Sequence, residues 1–125
     1  MSGRNTETPN QVMSSVTLTI NHCVVLCTCP SGDASEALAR ALVGEKLAAC
    51  VNLLPSVRSI YRWNGAVETA EESLLVIKTT MEHYAALEAR IRALHPYEIP
   101  EIIALPIAAG LPQYLHWLTQ PDSTP

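Results

Sequence analysis

The fold is decided in residues 93–101, Ala93-Leu94-His95-Pro96-Tyr97-Glu98-Ile99-Pro100-Glu101, where a helical pattern gives way to an extended one. Pro96 disfavours the helical conformation at His95, and Pro100 does the same at Ile99, so we expect a stiff, extended backbone here. This stiffness holds an imidazole, a phenol and two carboxylates in fixed directions. These side chains are the first candidates for a functional site.

The composition predicts one soluble globular domain. The chain has 125 residues, of which 48% are apolar, which is enough for a core but too interrupted for a membrane span. Its net charge of −4, with 8 Lys and Arg residues and no basic run, argues against binding to nucleic acids or anionic membranes. Small molecules, metal ions and other proteins remain as candidate partners.

The two ends of the chain are expected to be tails around a domain at residues 16–120. Residues 1–15 are polar and lack the basic start and apolar centre of a signal peptide, so we expect a disordered tail and a cytoplasmic protein. Residues 121–125 form the second tail. Disulfide bonds are not expected in the cytoplasm, and the four cysteines, none of them in a C-x-x-C pair, are expected to be small buried hydrophobic residues.

The domain begins with the pattern of a strand. Apolar residues alternate from Val16, most clearly from Cys23 to Thr28. In a strand, Cys23, Cys27 and Cys29 would all point to one face of the sheet.

A helix and a second apolar segment are predicted next. Asp33 or Ser35 would cap a helix that runs to about Lys46. Residues 47–54 are apolar except for Asn52 and fit a strand buried on both faces as well as a helix end. Pro55 interrupts strand pairing, so we expect a bulge or bend there.

A long hairpin follows. Alternation from Val57 to Trp63 reaches Asn64-Gly65, the strongest short hairpin signal, and the return strand runs from Ala66 to Thr79. Its first part, residues 67–72, is polar and expected to be solvated. Arms of roughly 15 residues are longer than a small domain is wide, so the tip must project or lie on another chain.

The last part of the domain predicts a helix, a strand and a short helix. Thr80 is a candidate N-cap, and the stripe of the second helix consists of Tyr84, Leu87, Ile91 and Leu94. Residues 102–107 form the fourth strand, in which Pro106 indicates an edge. Gly110 and Pro112 open the terminal helix, with Leu111, Leu115 and Leu118 inward.

The predicted order is β-α-β-β-α-β plus a terminal helix, which is typical of the ferredoxin-like α+β fold. Right-handed crossovers would place both long helices on one face of an antiparallel sheet. Strands that are apolar on both faces must be shielded from water on both sides of the sheet, and the chain offers no further pair of helices for the second side. We therefore expect an oligomer that buries the open face of the sheet.

Five separate segments occur in one register between about Cys23 and Leu118: VVLCT (24–28), EKLAACVN (45–52), SIYRWNG (59–65), IKTT (77–80) and HPYEIPE (95–101). Together they resemble the CutA family of divalent-cation tolerance proteins. The resemblance implies a cytoplasmic, ferredoxin-like subunit that forms a tight homotrimer and is linked to tolerance of copper and other divalent metals.

The resemblance also implies a metal site. In bacterial members a copper site is attributed to a strand-one cysteine and to histidines of the His-Pro-Tyr motif, which correspond here to Cys27 and His95. Some members have a second histidine immediately before the motif. That position is Leu94 in this chain, so one ligand of that scheme is missing.

Cys27 and His95 each have two interpretations. Cys27 is either a soft thiolate ligand suited to copper or zinc, or a packed strand cysteine with a raised pKa. His95 is either a neutral imidazole ligand or a helix C-terminal residue stabilised by the helix dipole. Two ligands leave coordination positions open, so tight binding needs a carboxylate such as Glu98 or Glu101, water, or a neighbouring subunit.

Structural roles are favoured for the other polar and aromatic candidates. Glu98 and Glu101 have no substrate groove that the sequence identifies, so solvation or salt bridges between subunits are favoured over acid–base chemistry. Tyr97 and Trp63 are interpreted as interface or core aromatics. The three remaining histidines lack the spacing of a ligand set and are expected at the surface: His22, His83 and His116.

Two functions from different classes remain, beside a third possibility that the trimer itself is the function and any bound metal is incidental. The first is a non-enzymatic, trimeric protein that responds to metal and binds copper-like divalent ions at Cys27 and His95; no catalytic or nucleotide-binding motif occurs. The alternative is a signalling or scaffold trimer resembling PII proteins, which would bind a protein or a small anionic metabolite. The basic candidates for the metabolite are Arg58, Arg62, Lys78 and Arg92.

Overall fold

The structure, a computed structural model, describes residues 21–122. Its strands are β1 (His22–Pro30), β2 (Cys50–Trp63), β3 (Ala66–Thr80) and β4 (Ile103–Pro106), and its helices are α1 (Asp33–Gly44), α2 (Met81–Leu94) and α3 (Pro112–Thr119). The predicted order of elements is confirmed. The expected start of the first strand at Val16, the N-terminal tail and residues 123–125 lie outside the described residues.

The four strands form one antiparallel sheet in the order β2-β3-β1-β4. The first and third strands are central, and β2 and β4 are the edges. This is the order that results when two right-handed β-α-β units are interleaved. Because β4 is an edge strand, it tolerates Pro106, which pairs with Cys23.

Both long helices cover the same face of the sheet, as predicted. Every second residue of β1 is buried on this face, so the three cysteines predicted to share a face do so. The core consists of Cys23, Val25, Cys27 and Cys29 from β1, Leu75 and Ile77 from β3, Leu38 and Leu42 from α1, Ala48, and Leu87 and Ile91 from α2. The helices thus bury their apolar stripes against the two central strands.

The opposite side of the sheet carries an apolar band that we call the open sheet face. Leu26 of β1 pairs with Val76 of β3 on one side and with Ile103 of β4 on the other, and Val24 pairs with Leu105. Ile103 and Leu105 are 49% and 48% exposed. Such a contiguous apolar surface is typical of an interaction site.

The hairpin agrees with the prediction in its turn, its bulge and its length. Asn64 and Gly65 have φ of 51° and 78°, and two positive values are the signature of a type I′ turn. The β2–β3 register shifts between Leu54 and Val57, where Ser56 has a φ of 62°. The arms have 14 and 15 residues.

The ends of α1 differ from the prediction. Gly32 is the N-cap residue, and no side chain caps the helix, because the Ser35 hydroxyl donates to the Gly32 carbonyl at 2.8 Å. Asp33 lies inside the first turn. The helix ends at Gly44, and Lys46 adopts a left-handed φ of 64° that a helix cannot continue.

Two leucines predicted to face inward are exposed. Leu94 is 41% exposed because it lies in the last turn of α2, where the chain leaves the sheet. Leu111 is 65% exposed because it precedes α3 as its N-cap, whereas Leu118 is buried as predicted. Thr80 is the N-cap of α2, but its hydroxyl bonds to Nδ1 of His83 at 3.0 Å instead of capping an amide.

Candidate functional site

His95 lies at the end of α2, where the chain turns towards β4. Its φ of −76° and ψ of 138° are extended, the conformation that a following proline favours. Its backbone N–H still donates to the Ile91 carbonyl at 2.7 Å, and the residue is 7% exposed. The predicted end of the second helix is therefore confirmed, and the imidazole points into the protein.

Both ring nitrogens of His95 are engaged. Nδ1 accepts a hydrogen bond from the Tyr97 backbone N–H at 3.1 Å, and Nε2 lies 2.7 Å from the Thr28 carbonyl oxygen. Because a carbonyl only accepts, these partners require a neutral ring with its proton on Nε2. The neighbouring strand β4 pairs with β1 only from Cys23 to Leu26, which leaves Thr28 available to the imidazole.

Cys27 is fully buried in β1, and its Sγ lies 3.7 Å from the Thr28 carbonyl oxygen. Burial raises the pKa of this thiol to about 12, and the charges of Cys29, Glu101 and Glu72 add to the rise. At neutral pH the group is therefore a thiol and a poor nucleophile or ligand until it loses its proton.

Cys27 and His95 meet at one atom, the carbonyl oxygen of Thr28. As arranged, the pair does not fit a metal ion, because the thiol is protonated and the Nδ1 lone pair is used by Tyr97. Within residues 21–122, no group of three or more His, Cys, Asp or Glu side chains is arranged to hold one. The structure brings the two predicted ligands together without building a complete coordination shell.

A cleft of about 550 Å³ lies next to this pair, between the hairpin and the connection that follows α2. It is lined by Thr28, Ser59, Tyr61, Trp63, Glu72, Pro96, Tyr97, Glu98, Ile99 and Glu101. We call it the acidic-aromatic cleft. It supplies the groove that the sequence did not reveal for Glu98 and Glu101, and none of the four basic residues considered for an anionic metabolite lines it.

Glu72 is the buried acid of this cleft. It is 6% exposed, and its Oε2 accepts a hydrogen bond from the Tyr97 hydroxyl at 2.9 Å. Burial, with the hydrogen bond and charge of Glu72, raises the pKa of Tyr97 to about 12, so the phenol keeps its proton and donates. The Tyr97 ring also lies 4.8 Å from the His95 ring, centroid to centroid. Tyr97 therefore connects the cleft to the Cys27 and His95 pair.

The sequence did not identify Glu72 as a site residue, because Glu72 lies in the polar segment 67–72, which was expected to be solvated. Glu72 is buried, and its hydrogen-bond partner Tyr97 lies 25 residues further along the chain. The segment itself is polar, and Glu71 beside Glu72 is exposed and bonded to Arg58 at 3.0 Å. No signal in the sequence distinguishes these two neighbouring glutamates.

The other histidines and Cys50 do not converge on a site in the described residues. His116 is exposed, whereas His22 and His83 are half-buried. Nε2 of His22 lies 3.0 Å from the Thr119 hydroxyl. The Lys78 ammonium donates a hydrogen bond to Sγ of the half-buried Cys50 at 3.7 Å.

Comparison with known proteins identifies the family. A family model described as CutA1 divalent ion tolerance protein matches residues 23–121. The divalent-cation tolerance protein CutA of Thermus thermophilus is 53% identical over 97 residues, which cover 78% of this chain and 94% of that protein. The chloroplastic protein CutA 1 of Oryza sativa is 45% identical over 106 residues, 85% of this chain and 60% of that protein. The family description and the name of the Thermus protein concern divalent-cation tolerance, and none of these names supports the PII-like alternative.

Solved structures agree with the fold. The divalent cation tolerance protein Cut A1 of Thermus thermophilus superposes with a TM-score of 0.78 at 52% identity, covering 79% of this chain and 96% of that one. The protein described as the periplasmic divalent cation tolerance protein CutA of Archaeoglobus fulgidus gives 0.75 at 38% identity, with coverage of 78% and 94%. The α+β fold with a four-stranded antiparallel sheet is therefore shared.

The names of the relatives include more than one compartment, the chloroplast and the periplasm. Among residues 21–122, no helix has the length and apolar character needed to cross a membrane. The cytoplasmic location stays a prediction.

With a family match over residues 23–121 and a relative that is 53% identical, the chain belongs to the CutA1 family of divalent ion tolerance proteins.

Proposed function

We propose that this chain acts in divalent-cation tolerance as a non-enzymatic, cytoplasmic homotrimer that binds copper-like ions through Cys27 and His95. Family membership supports the broad role. The observation that carries the site is the shared acceptor: a thiol from β1 and an imidazole from the end of α2 both contact the Thr28 carbonyl. Thiol and imidazole are ligands suited to copper and zinc.

Binding in this proposal requires a local change. Cys27 must lose its proton, and His95 must give up one of its two hydrogen bonds. Glu101 is a candidate third ligand because its charge acts on the Cys27 thiol, and water or a second copy would complete the shell. Such a site binds its ion weakly and exchangeably, which suits tolerance better than permanent retention.

The homotrimer is supported by two features of the single chain. The open sheet face exposes apolar side chains that water solvates poorly. The outer edges of β2 and β4 have no strand partner within residues 21–122. Further copies of the chain would cover both features, since unpaired strand edges readily pair with another chain.

Metal titration tests the site. Metal-free protein is titrated with Cu(II) and Zn(II) under controlled redox conditions, because a thiolate can reduce Cu(II). We expect Cys27→Ser and His95→Ala each to weaken binding by about tenfold or more. Affinity should rise with pH in the wild type, by about tenfold per pH unit, because a thiol with a pKa of about 12 must release a proton.

Matched controls are Cys50→Ser and His116→Ala. Each removes a thiol or an imidazole that does not contact the Thr28 carbonyl. These variants should bind both ions like the wild type and keep its pH dependence. The site assignment is wrong if Cys27→Ser and His95→Ala behave like these controls.

A further inference from the structure

The acidic-aromatic cleft contains residues that the proposed metal site does not use, among them Glu72, Tyr61 and Trp63. Its volume of about 550 Å³ falls within the range of small-molecule sites. Among the described residues, three carboxylates line it, those of Glu72, Glu98 and Glu101, and no Lys, Arg or His side chain does. The charge of the wall therefore favours a cationic occupant and disfavours an anionic one.

Glu72 has no salt-bridge partner within residues 21–122, although its neighbour Glu71 has one. The residue is 6% exposed, and its one side-chain hydrogen bond in the same range is the bond from the Tyr97 hydroxyl to Oε2. Burying a carboxylate without a counter-charge is unfavourable, and Oε1 remains available to a donor from a ligand.

Three aromatic side chains also line the cleft. In the single chain, Tyr61, Trp63 and Tyr97 are 43%, 58% and 38% exposed. Aromatic faces attract cations and also pack against apolar groups. A ligand that combines a positive charge with an apolar body would use both properties.

We infer that the acidic-aromatic cleft binds a small organic cation, a primary ammonium carried on an apolar or aromatic body. The ammonium donates to Oε1 of Glu72, and the body lies against Trp63 and Tyr61. A primary ammonium fits better than a quaternary one because only the former has N–H groups for the carboxylate. This inference goes beyond cation tolerance. The cleft borders the Cys27 and His95 site through Tyr97 and Glu101, but the ammonium would use neither Cys27 nor His95.

A series of three probes with one body tests the charge preference. The assembled, full-length, metal-free protein is titrated by calorimetry in an amine-free phosphate buffer with 2-phenylethylammonium, 2-phenylethanol and phenylacetate. We expect the cation to bind about tenfold or more tightly than the alcohol, since hydrogen bonds to charged groups are the stronger ones, and phenylacetate not to bind. Equal binding of the cation and the alcohol would overturn the inference.

A pair of neighbouring substitutions tests the residue. Glu72→Gln should weaken binding of 2-phenylethylammonium by about tenfold and leave 2-phenylethanol unchanged. Glu71→Gln removes the same charge one residue away, on an exposed side chain outside the cleft, and should bind like the wild type. If Glu72→Gln does not fold, Glu101→Gln at the exposed rim and Trp63→Leu carry the test. Wild-type affinity in both of these variants would contradict the site.

Two further outcomes separate this inference from its rivals. If a side chain of a second copy fills the cleft in the assembled protein, none of the three probes binds and the inference is wrong. Cys27→Ser should leave binding of 2-phenylethylammonium unchanged, so loss of the metal site and loss of the organic-cation site give different results. Loss of 2-phenylethylammonium binding in Cys27→Ser would mean that the two sites are one and would overturn the inference.

Discussion

Tyr97 is the residue on which both candidate sites depend. Its backbone N–H donates a hydrogen bond to Nδ1 of His95, its ring lies beside the imidazole, and its hydroxyl donates to Glu72. The sequence predicted an interface or core aromatic here, and the 38% exposed ring lies at the wall of a cleft. A single residue thus bonds to His95 through its backbone, which fixes the tautomer of the imidazole, and to Glu72 through its hydroxyl.

Removing the Tyr97 hydroxyl should destabilise the fold. Tyr97→Phe leaves the buried Glu72 carboxylate without its donor, which should lower the free energy of unfolding by about 1–3 kcal/mol. Urea denaturation at fixed protein concentration measures the change. Tyr61→Phe is the control, because no hydrogen bond to the Tyr61 hydroxyl occurs within residues 21–122, and its effect should stay within about 0.5 kcal/mol. Equal effects of the two substitutions would show that the bond to Glu72 contributes nothing.

At the scale of elements, the long hairpin was the most predictable part of the chain. Asn64-Gly65 supplies the two positive φ values that a type I′ turn requires, and Pro55 marks the bulge. Both signals act on the backbone within a few residues. The caps of α1 were predicted wrongly because Asp33 and Ser35 are equally good capping residues by type, and only the local backbone decided that Gly32 takes the position.

Two glycines should respond to the same substitution with opposite sign. Gly65→Ala forces a Cβ into a left-handed conformation with φ of 78° and should cost about 1–2 kcal/mol of stability. Gly44→Ala lies at the end of α1, where an added Cβ meets no atom within 4 Å, and should stabilise by about 0.5 kcal/mol. Urea denaturation of both variants measures the two changes. A loss of stability of the same size in both would contradict the assigned turn geometry.

At the scale of the whole molecule, the sheet has one covered face and one open face. The apolar stripes of α1 and α2 predict that the helices cover one face of the sheet. The other face stays open and apolar because the strands carry apolar side chains on both sides. The sequence therefore predicts that a second cover is needed, and the single chain does not supply it. Assembly with further copies is the expected solution.

A charge placed on the open sheet face should break the assembly. Ile103→Lys introduces an ammonium at a 49% exposed position of that face, and burying it against another copy is unfavourable. Sedimentation equilibrium should give three times the mass of one chain for the wild type and a shift towards one chain for Ile103→Lys. Leu94→Lys, at a 41% exposed position on α2, is the control and should keep the wild-type mass. The proposed interface is wrong if Ile103→Lys also keeps it.

The sequence by itself determined the order of the elements, the hairpin turn, the end of α2 and the shared face of the cysteines. Those features depend on prolines, glycines and periodicity, which constrain the backbone over a few residues. Only the tertiary structure decided that His95 reaches Thr28, 67 residues away, and that the Tyr97 hydroxyl donates to the buried Glu72. Contacts between residues so far apart depend on how the helices and strands pack, because burial and hydrogen-bond partners are properties of the folded chain and not of any local pattern.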